Sequence, residues 1–459
     1  MKKVLLSFLF LFTFFCLVSC SNEKVEFTHK GILTYYIDEN PQDMLKDIKI
    51  KVTNKGKETI ISLDDKRLKL SGFNFDNLGE YSGVVLYNNK TYSFKYKVEI
   101  RKWDGSIDTS WYIETKNEFY LDNAKELAGL AELVNKGNNF ENKTIHLSYD
   151  IDLNNKPWTP IGTEGLGQFV DLNNSFNGVF TGDGKTIYNL YTKASHPTKG
   201  EHLDTATSYY HFGLFGYVKN AKINNLKIQN VNITNGMGNN YQRSIQGTAA
   251  LVGHTSGKVE IDNVKILGDI SIVGEYKVGG LIGSSSGESI TVSNCSVRGT
   301  SGSKIYGTDE LFKDTNNFGG LVGFTATSLT NFLNVISEIN VDGFTSGGIC
   351  GNVTEGVLNI KNAIVYGAIS NSEGSVVGGL IGGKFVPMNL ENCYMVGSVT
   401  SKDVQYADVF VSKYGDSKEE IIIKECYFNA NKFDGEKINN ILNIPGKTEN
   451  ELNNMVPKL

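Results

Sequence analysis

The chain has 459 residues, of which 40% are hydrophobic and 21% charged, so it holds enough apolar material for a globular core. The formal net charge of −5 excludes no soluble class of protein but gives no indication of a nucleic-acid partner. The length predicts two or three domains, and 49 glycines against 7 prolines are the one unusual feature of the composition.

The first twenty residues have the pattern of a secretory signal peptide. Lys2 and Lys3 precede an apolar run, 4–18, which is shorter than the roughly 20 apolar residues that span a membrane. The run ends at L-V-S-C, which resembles the lipobox of bacterial lipoproteins, and this resemblance implies that Cys20 is acylated. We therefore expect a lipid anchor in the bacterial cell envelope, at the outer membrane or cell surface. The alternative is a plain signal peptide with an unrelated cysteine.

Residues 24–103 alternate polar and apolar side chains in short runs such as 48–52 and 92–98. Alternation with a period of two predicts strands with one wet face, and turn-forming pieces such as 54–57 separate them at hairpin distances. The order of these runs resembles a bacterial Ig-like domain, which implies a small β-sandwich that serves as a spacer. Residues 104–110 are then expected to form a linker.

One amphipathic helix is predicted after this linker. Asp122 or Asn123 is a suitable N-cap, and Lys136-Gly137 ends the pattern. Four apolar residues share one stripe of the helix: Leu127, Leu130, Ala131 and Val134. Because the open end of a stack of strands exposes its core and unpaired backbone groups, we expect residues 123–136 to cap the region that follows.

From residue 212 onward a phrase of the form G-G-L-[IV]-G recurs. Its copies are FGLFG, AALVG, GGLIG, GGLVG, GGICG and GGLIG, with final glycines at Gly216, Gly253, Gly283, Gly323, Gly351 and Gly382, spaced 37, 30, 40, 28 and 31 residues apart. A period of this size indicates a solenoid or a propeller. Propeller blades need about 40–50 residues for four antiparallel strands, so the shorter repeats favour a parallel β-helix.

A second phrase, centred on an asparagine, lies between these copies. Apolar residues change parity across it, which predicts a bend with left-handed backbone at each asparagine, because asparagine tolerates that conformation. The asparagines are Asn225, Asn263, Asn294, Asn334, Asn362 and Asn392. Each repeat is expected to contain three short strands and three bends, with one leucine of each glycine phrase pointing inward.

Residues 145–190 fit the opening coils of the same helix. Together with the glycine phrases, this block resembles the GLUG-motif region of bacterial surface proteins, including the region before the catalytic part of immunoglobulin A-specific metallopeptidases. The likeness runs from about Trp111 to the end, and the glycine-poor copy at 407–411 suits a terminal capping repeat. The predicted fold class is all-β: an Ig-like sandwich (24–103) followed by a right-handed parallel β-helix (111–459) with an N-terminal capping helix.

No motif for catalysis was found. The metallopeptidases carry H-E-x-x-H, and none of the 6 histidines here fits that pattern, so we expect no protease activity, no cofactor and no metal. His196, His202, Asp204 and His211 in the insertion 194–211 would meet only if that loop folded back, and Asp150 with Asp152 fit outward positions of a strand. The remaining cysteines, which lack metal-type spacing, are expected to be small buried hydrophobes: Cys295, Cys350, Cys393 and Cys426.

Three insertions, 194–211, 234–248 and 299–318, each come just before a glycine phrase. They are expected to leave equivalent bends and to form one lateral shelf, and loops on one face of a solenoid are often its binding face. Their aromatic and arginine side chains suit recognition of a glycan or of a host or neighbouring-cell protein: Tyr209, Tyr210, Tyr241, Arg243, Tyr306 and Phe312. The alternative is tolerated surface loops without a ligand.

Two functions remain open. The first is a lipid-anchored surface protein that presents its β-helix for adhesion or ligand binding. The second is a carbohydrate-active lyase or hydrolase, since many parallel β-helices are such enzymes. An enzyme of that kind would need clustered basic residues or carboxylates on one lateral face, and the central coils, about 249–299 and 347–400, carry few charges.

Overall fold

Of the residues that the structure describes, 57% lie in strands and 8% in helices, and many of the strand pairs are parallel. The computed structural model describes residues 23–164, 173–193, 211–235, 247–274, 276–307, 316–371, 376–384, 386–402, 404–412, 420–433 and 438–457. The chain divides between Ile100 and Arg101 into two compact units.

The first unit consists of two sheets and one short helix. Its elements are β1 (Lys24–Phe27), β2 (Leu33–Tyr36), α1 (Pro41–Asp47), β3 (Lys49–Asn54), β4 (Lys57–Ser62), β5 (Lys69–Ser71), β6 (Gly79–Tyr87) and β7 (Lys90–Glu99). One sheet has the order β1-β3-β4 and the other β2-β7-β6-β5, in which only β2 and β7 pair in parallel. Ile50 of the first sheet and Tyr96 of the second share one core, as the alternating pattern requires.

The boundary between the units differs from the one expected from the sequence. Trp103, expected in the first domain, is 8% exposed in the core of the second unit, where its backbone N–H donates to Asp152 (2.9 Å). Its ring lies edge-on to Trp158 at 5.6 Å. The expected linker, 104–110, also packs on the second unit, since the N–H of Asp108 donates to the backbone oxygen of Lys125 (2.9 Å). Because Trp103 is buried in the core of the second unit, the boundary lies after residue 100 rather than after residue 103.

The second unit begins with the predicted helix and a group of short strands. They are β8 (Glu118–Leu121), α2 (Ala124–Asn135), β9 (Thr144–Leu147), β10 (Ile151–Asp152), β11 (Thr163–Glu164), β12 (Asn173–Asn174), β13 (Val179–Thr181) and β14 (Thr186–Lys193). The side chain of Asn123 accepts the N–H of Glu126 (3.2 Å), which confirms the predicted N-cap. The four predicted stripe residues are all buried in one core cluster with Phe119 and Phe140.

The repeats form the rest of the unit. Their strands are β15 (Phe215–Lys219), β16 (Lys222–Thr234), β17 (Gly247–Thr248), β18 (Val252–Ser256), β19 (Lys258–Gly274), β20 (Lys277–Gly279), β21 (Ile282–Ser293), β22 (Ser296–Gly299), β23 (Lys304–Gly307), β24 (Asn317–Gly319), β25 (Val322–Glu338), β26 (Asn340–Asp342), β27 (Thr345–Gly347), β28 (Cys350–Val365), β29 (Ala368–Asn371), β30 (Val376–Gly378), β31 (Ile381–Lys384), β32 (Met388–Met395), β33 (Ser398–Ser401), β34 (Ala407–Asp408), β35 (Ile421–Lys424), β36 (Tyr427–Asn429) and β37 (Gly446–Lys447).

Each repeat pairs in parallel with the next one at equivalent positions. The repeats from Val322 to Gly347 and from Cys350 to Gly378 contain three strands each, as expected, whereas the repeat from Ile282 to Gly319 contains four because its long strand is interrupted between Ser293 and Ser296. In each of them the start of the glycine phrase is a short strand that pairs with its neighbours. Those short strands form a separate parallel sheet, β17-β20-β24-β27-β30-β34. The predicted inward column is confirmed, since the five leucines of the glycine phrases are all 0% exposed: Leu214, Leu251, Leu281, Leu321 and Leu380.

The predicted asparagine bends are confirmed. All six asparagines have left-handed backbone, with φ between +51° and +57°: Asn225, Asn263, Asn294, Asn334, Asn362 and Asn392. Side chains of successive asparagines are also hydrogen-bonded, as Asn362 shows. Its Nδ2 donates to the Oδ1 of Asn334 (2.7 Å), and its Oδ1 accepts from the Nδ2 of Asn392 (2.7 Å). The bends therefore stabilise neighbouring coils as well as redirecting the chain.

The last helix lies on the outside of the repeats. Helix α3 (Glu449–Met455) buries Leu452 in a small cluster with Ile336, Ile364 and Tyr394, outward residues of three successive repeats. Across the described ranges, neither α3 nor any other helix has the length and apolar character needed to cross a bilayer. All four cysteines of the repeats are free and buried, as predicted.

Candidate binding face

One predicted shelf residue, Tyr306, lies within the described part of the chain. The others, and the proposed lipid site Cys20, lie outside the described residues: Tyr209, Tyr210, Tyr241, Arg243 and Phe312. Tyr306 is half-buried near the end of β23, and the Nζ of Lys304 lies 5.0 Å from the centre of its ring. Lys304 also forms an ion pair with Asp342 in the next repeat (3.0 Å). Tyr306 therefore packs against a lysine that is itself held by the neighbouring strand.

The third insertion begins later than expected, after Gly307 rather than at residue 299, because residues Lys304–Gly307 form β23 and pair with β19. With this correction, the described ends of the three insertions occupy equivalent positions. Lys193 and Thr234, which end the strands before the first and second insertions, are register partners. Gly307, which ends the strand before the third insertion, is the register partner of Gly274. Thr234 in turn pairs with Val273. Each insertion therefore leaves the same edge of its coil.

The strands after the insertions also line up. Phe212 pairs with Thr248, and Val278 pairs with both Thr248 and Phe318. Each insertion thus enters the six-stranded sheet at the same position. The arrangement expected for a lateral shelf holds for the ends of the loops.

A polar groove with a volume of about 480 Å³ lies beside this edge. Its lining is mainly asparagine, serine and threonine, over a floor of Val231 and Ile270: Asn155, Asn189, Asn230, Asn232, Asp269, Ser271, Thr300, Gly302 and Ser303. Ser271 in the groove is the register partner of Lys304, two residues before Tyr306. The groove residues Asn189 and Asn232 lie on β14 and β16, the strands that precede the first two insertions, and Ser303 directly precedes β23, after which the third insertion begins.

A chain of hydrogen bonds crosses the groove along the direction in which the repeats stack. The hydroxyl of Thr300 donates to Asp269 Oδ1 (2.6 Å), and the backbone N–H of Asp269 donates to Asn230 Oδ1 (3.3 Å). The Nδ2 of Asn230 donates to Asn189 Oδ1 (3.3 Å), and the Nδ2 of Asn189 donates to Asp152 Oδ1 (2.8 Å). Each of these side chains is thus held by a hydrogen bond to its neighbour, so the protein's own contacts order the lining of the groove.

The local sequence explains why these side chains meet. Asn189 and Asn230 have φ of +60° and +61° at the second bend of their coils, where the next repeat has Gly268 with φ of +83°. That repeat then carries one extra residue, Asp269, because the register shifts between Gln229 and Val231. The groove does not follow from the periodic patterns of the sequence. The available signal was the replacement of glycine by asparagine five residues after the first asparagine of the coil.

Two weaker candidates take structural roles instead. Asp150 Oδ1 accepts the N–H of Thr186 (2.7 Å), and Asp152 Oδ1 accepts the N–H of Asn154 (2.7 Å). His211 is 3% exposed, and its Nδ1 accepts the N–H of Gly247 (3.0 Å). The other members of that predicted set, His196, His202 and Asp204, lie outside the described residues. Within the described ranges no group of three metal-ligating side chains occurs.

The chemistry of the groove is that of neutral hydrogen bonding. Its described lining holds one carboxylate, Asp269, and neither lysine, arginine, histidine nor an aromatic ring. Amides and hydroxyls offer donors and acceptors side by side, which suits a ligand rich in hydroxyl groups. Thr300 and Asp269 are exposed, so their free lone pairs and the amide of exposed Asn232 face solvent.

Comparison with known proteins gives distant structural likenesses. The chain matches no protein-family profile and no curated protein. Among solved structures it is similar to one named IgA1 Protease, with 15% identity and a TM-score of 0.48, over 95% of this chain and 31% of that one. It is also similar to a "putative immunoglobulin A1 protease" from Bacteroides ovatus, with 17% identity and a TM-score of 0.44, over 75% and 88% of the two chains. This chain therefore spans about a third of the length of the first structure.

Proposed function

We propose that the protein is a lipid-anchored component of the bacterial cell envelope that binds a glycan on one lateral face of a right-handed parallel β-helix. In this proposal the first unit is an Ig-like sandwich that acts as a spacer. The observation that carries the binding role is the position of the polar groove, which adjoins the aligned exits of three insertions.

The pairing of the strands supports the β-helix. Successive repeats pair in parallel at offsets near 30–40 residues, for example Val322 with Cys350 and Ile282 with Val322. Helix α2 then serves as the cap of the first coil, since its buried stripe covers core residues at that end. For the first unit, two sheets around one core support the sandwich.

A neutral glycan is the ligand class that suits the groove best. A nucleic acid or a strongly anionic polymer would need cations, and the described lining of the groove contains none. Lys304, which directly follows the groove residue Ser303, is paired with Asp342. Carbohydrate recognition uses dense networks of amide, hydroxyl and carboxylate groups, and this lining supplies all three.

Binding is favoured over the alternative of a carbohydrate-active enzyme. Glycoside hydrolysis commonly uses two carboxyl groups about 5–10 Å apart, one of them an acid or nucleophile. Asp269 is the single carboxylate in the described lining, and its Oδ1 already accepts a hydrogen bond from Thr300. We therefore propose no reaction for this site.

The groove is tested by a glycan array with the purified extracytoplasmic part of the chain. We expect binding to a neutral glycan, and at least about tenfold weaker binding for Asp269→Ala, because a lost hydrogen bond to a charged group costs about 1.5–3 kcal/mol. Glu288→Ala is the matched control, since it also removes one exposed carboxylate but lies at a different bend. Binding to proteins only, or equal losses in both variants, would overturn the glycan groove.

The anchor is tested separately. Metabolic labelling with a fatty acid should mark the wild-type protein and leave Cys20→Ala unlabelled, since the thiol of Cys20 is the proposed attachment point. Equal labelling of the two proteins would refute the anchor and leave the groove untouched.

A further inference from the structure

In each repeat the residue directly after the asparagine bend points into the core, and these six residues stack in one column. The column reads Leu226, Val264, Cys295, Val335, Ala363 and Cys393, and Cys426 continues it after the last bend. The flanking partners Glu391–Lys424 and Tyr394–Tyr427 place Cys393 opposite Cys426 in the next coil. This is the one place where two described cysteines are stacking neighbours.

The backbone presents both thiols in the same way. Asn392 and Glu425, the residues just before them, have φ of +56° and +55°, so the two coils turn alike. In-register neighbours on adjacent strands lie about 4.8 Å apart, within the 4.4–6.8 Å between Cα atoms that disulfides span. The Sγ of Cys426 also lies 3.7 Å from the backbone oxygen of Leu390, which belongs to the coil of Cys393. The thiol of Cys426 is therefore directed toward its neighbour's coil.

The electrostatics of the pair are unequal. Burial raises the pKa of Cys393 well above its ordinary value, whereas the adjacent thiol of Cys393 lowers the pKa of Cys426. A thiol with the lower pKa is the better initial nucleophile in thiol–disulfide exchange. Cys426 is thus the attacking residue and Cys393 the resolving one.

We propose that Cys393 and Cys426 form a disulfide that joins the last coil to the one before it. The oxidant is a disulfide such as oxidised glutathione. The thiolate of Cys426 attacks one of its sulfurs and releases one glutathione thiol, and the thiolate of Cys393 then attacks the sulfur of Cys426 and releases the second. Two protein thiols and one small disulfide become one protein disulfide and two small thiols.

The other two cysteines of the repeats are matched controls within the same chain. Cys295 stacks between Val264 and Val335, since its Sγ accepts the N–H of Val264 (3.4 Å) and its backbone oxygen accepts that of Ile336 (3.0 Å). Cys350 has Val322 and Ile381 as register partners. Both are as buried as the proposed pair, and neither has a thiol neighbour among these partners.

The test is a disulfide map of the full-length protein, reduced, unfolded and refolded in glutathione redox buffer, then alkylated and digested without reduction. We expect peptides joined through Cys393 and Cys426 in most molecules, with Cys295 and Cys350 alkylated. Alkylation of all four to the same extent, or cross-links of Cys426 to other cysteines as often as to Cys393, would overturn the proposal.

Two further arms keep the test independent of refolding. The same map is made on protein isolated from its cells after thiols are blocked in place, and the same result is expected. In Cys393→Ala, which puts at this position the residue that Ala363 provides one coil earlier, Cys426 should become alkylated. A Cys426 that still forms a stable protein cross-link in this variant would contradict the pairing. None of these outcomes depends on whether the groove binds a glycan.

Discussion

At the scale of single residues, the asparagine column combines two stabilising effects at each bend. Asparagine adopts the left-handed backbone at lower cost than most residues. The amides of Asn263, Asn334, Asn362 and Asn392 also donate to the asparagine of the previous coil, whereas that of Asn294 donates to Asp262. Asn362 is the clearest case, with φ of +57° and two side-chain hydrogen bonds of 2.7 Å.

Asn362→Ala should therefore lose more stability than Asn362→Gly. Alanine in left-handed backbone costs about 1–2 kcal/mol, whereas glycine adopts it freely, and both variants lose the same hydrogen bonds. We expect the alanine variant to be less stable by about 1 kcal/mol in denaturant unfolding. Equal midpoints for the two variants would show that the bend does not constrain this residue.

Asp408 replaces a glycine of the repeated phrase, as its register partner Gly378 shows. It is 0% exposed, and its Oδ1 accepts the N–H groups of Phe410 (2.9 Å) and Val411 (3.2 Å). Its Oδ2 accepts the N–H of Ile441 (2.8 Å) and so holds the next segment of chain. Despite these donors, burial raises the pKa of Asp408 to about 6.

This pKa predicts a pH-dependent stability. A carboxyl whose pKa is higher in the folded protein than in the unfolded chain contributes its full stability below about pH 4 and loses it as the pH rises through about 6. Because Asp408→Asn does not titrate, the wild type should lose about 2 kcal/mol relative to it between pH 4 and pH 7. Denaturant unfolding at several pH values measures this difference, and parallel pH profiles would contradict the raised pKa.

At the scale of elements, helix α2 is packed on two sides. Its apolar stripe faces the core, and the segment 108–111 crosses its other side, where the Nε1 of Trp111 donates to the backbone oxygen of Glu126 (3.2 Å). A Cβ on Gly129 would overlap the backbone oxygen of Asp108. Glycine is therefore required here by close approach.

Gly129→Ala should destabilise the protein although alanine is the better helix former. Alanine in place of glycine normally gains about 1 kcal/mol in a helix, but the overlap should reverse the sign and cost about 1–3 kcal/mol. Glu132→Ala, which removes a half-buried side chain whose ion pair with Lys136 lies on the same helix, is the control and should change stability by about 0.5 kcal/mol or less. A stabilised Gly129→Ala would show that residues 108–111 do not lie on the helix.

The elements that the sequence predicted are those with a repeated or periodic signal. The strands, helix α2, the asparagine bends and the leucine column follow from side chains that recur at fixed spacing. The separate sheet of short strands at the glycine phrases was missed because two or three residues around a glycine carry no periodicity. The groove was missed because it depends on a one-residue shift of register at Asp269, which is visible only when neighbouring coils are paired.

At the scale of the whole molecule, the proposed binding role belongs to one lateral face of the stacked repeats. Repeats of unequal length stack in register because the extra residues are placed in insertions between Lys193 and Phe212, Thr234 and Gly247, and Gly307 and Asn317. In a solenoid, stability is roughly a sum over neighbouring repeats, so loops of this kind are free to serve another purpose. We propose that these insertions contribute to binding of the glycan.

The most direct measurement is attachment of a protein in which all three insertions are shortened. Residues 194–210, 236–246 and 308–315 are each replaced by a two-residue link like that between Asp342 and Thr345. Loop closure costs only about 0.6 kcal/mol per doubling of length, so circular dichroism should stay β-rich and the Tm should change by a few degrees at most. If the insertions contribute to binding, this stable protein should no longer attach to the glycan that the wild type binds. Unchanged attachment would contradict it and place the site elsewhere on the molecule.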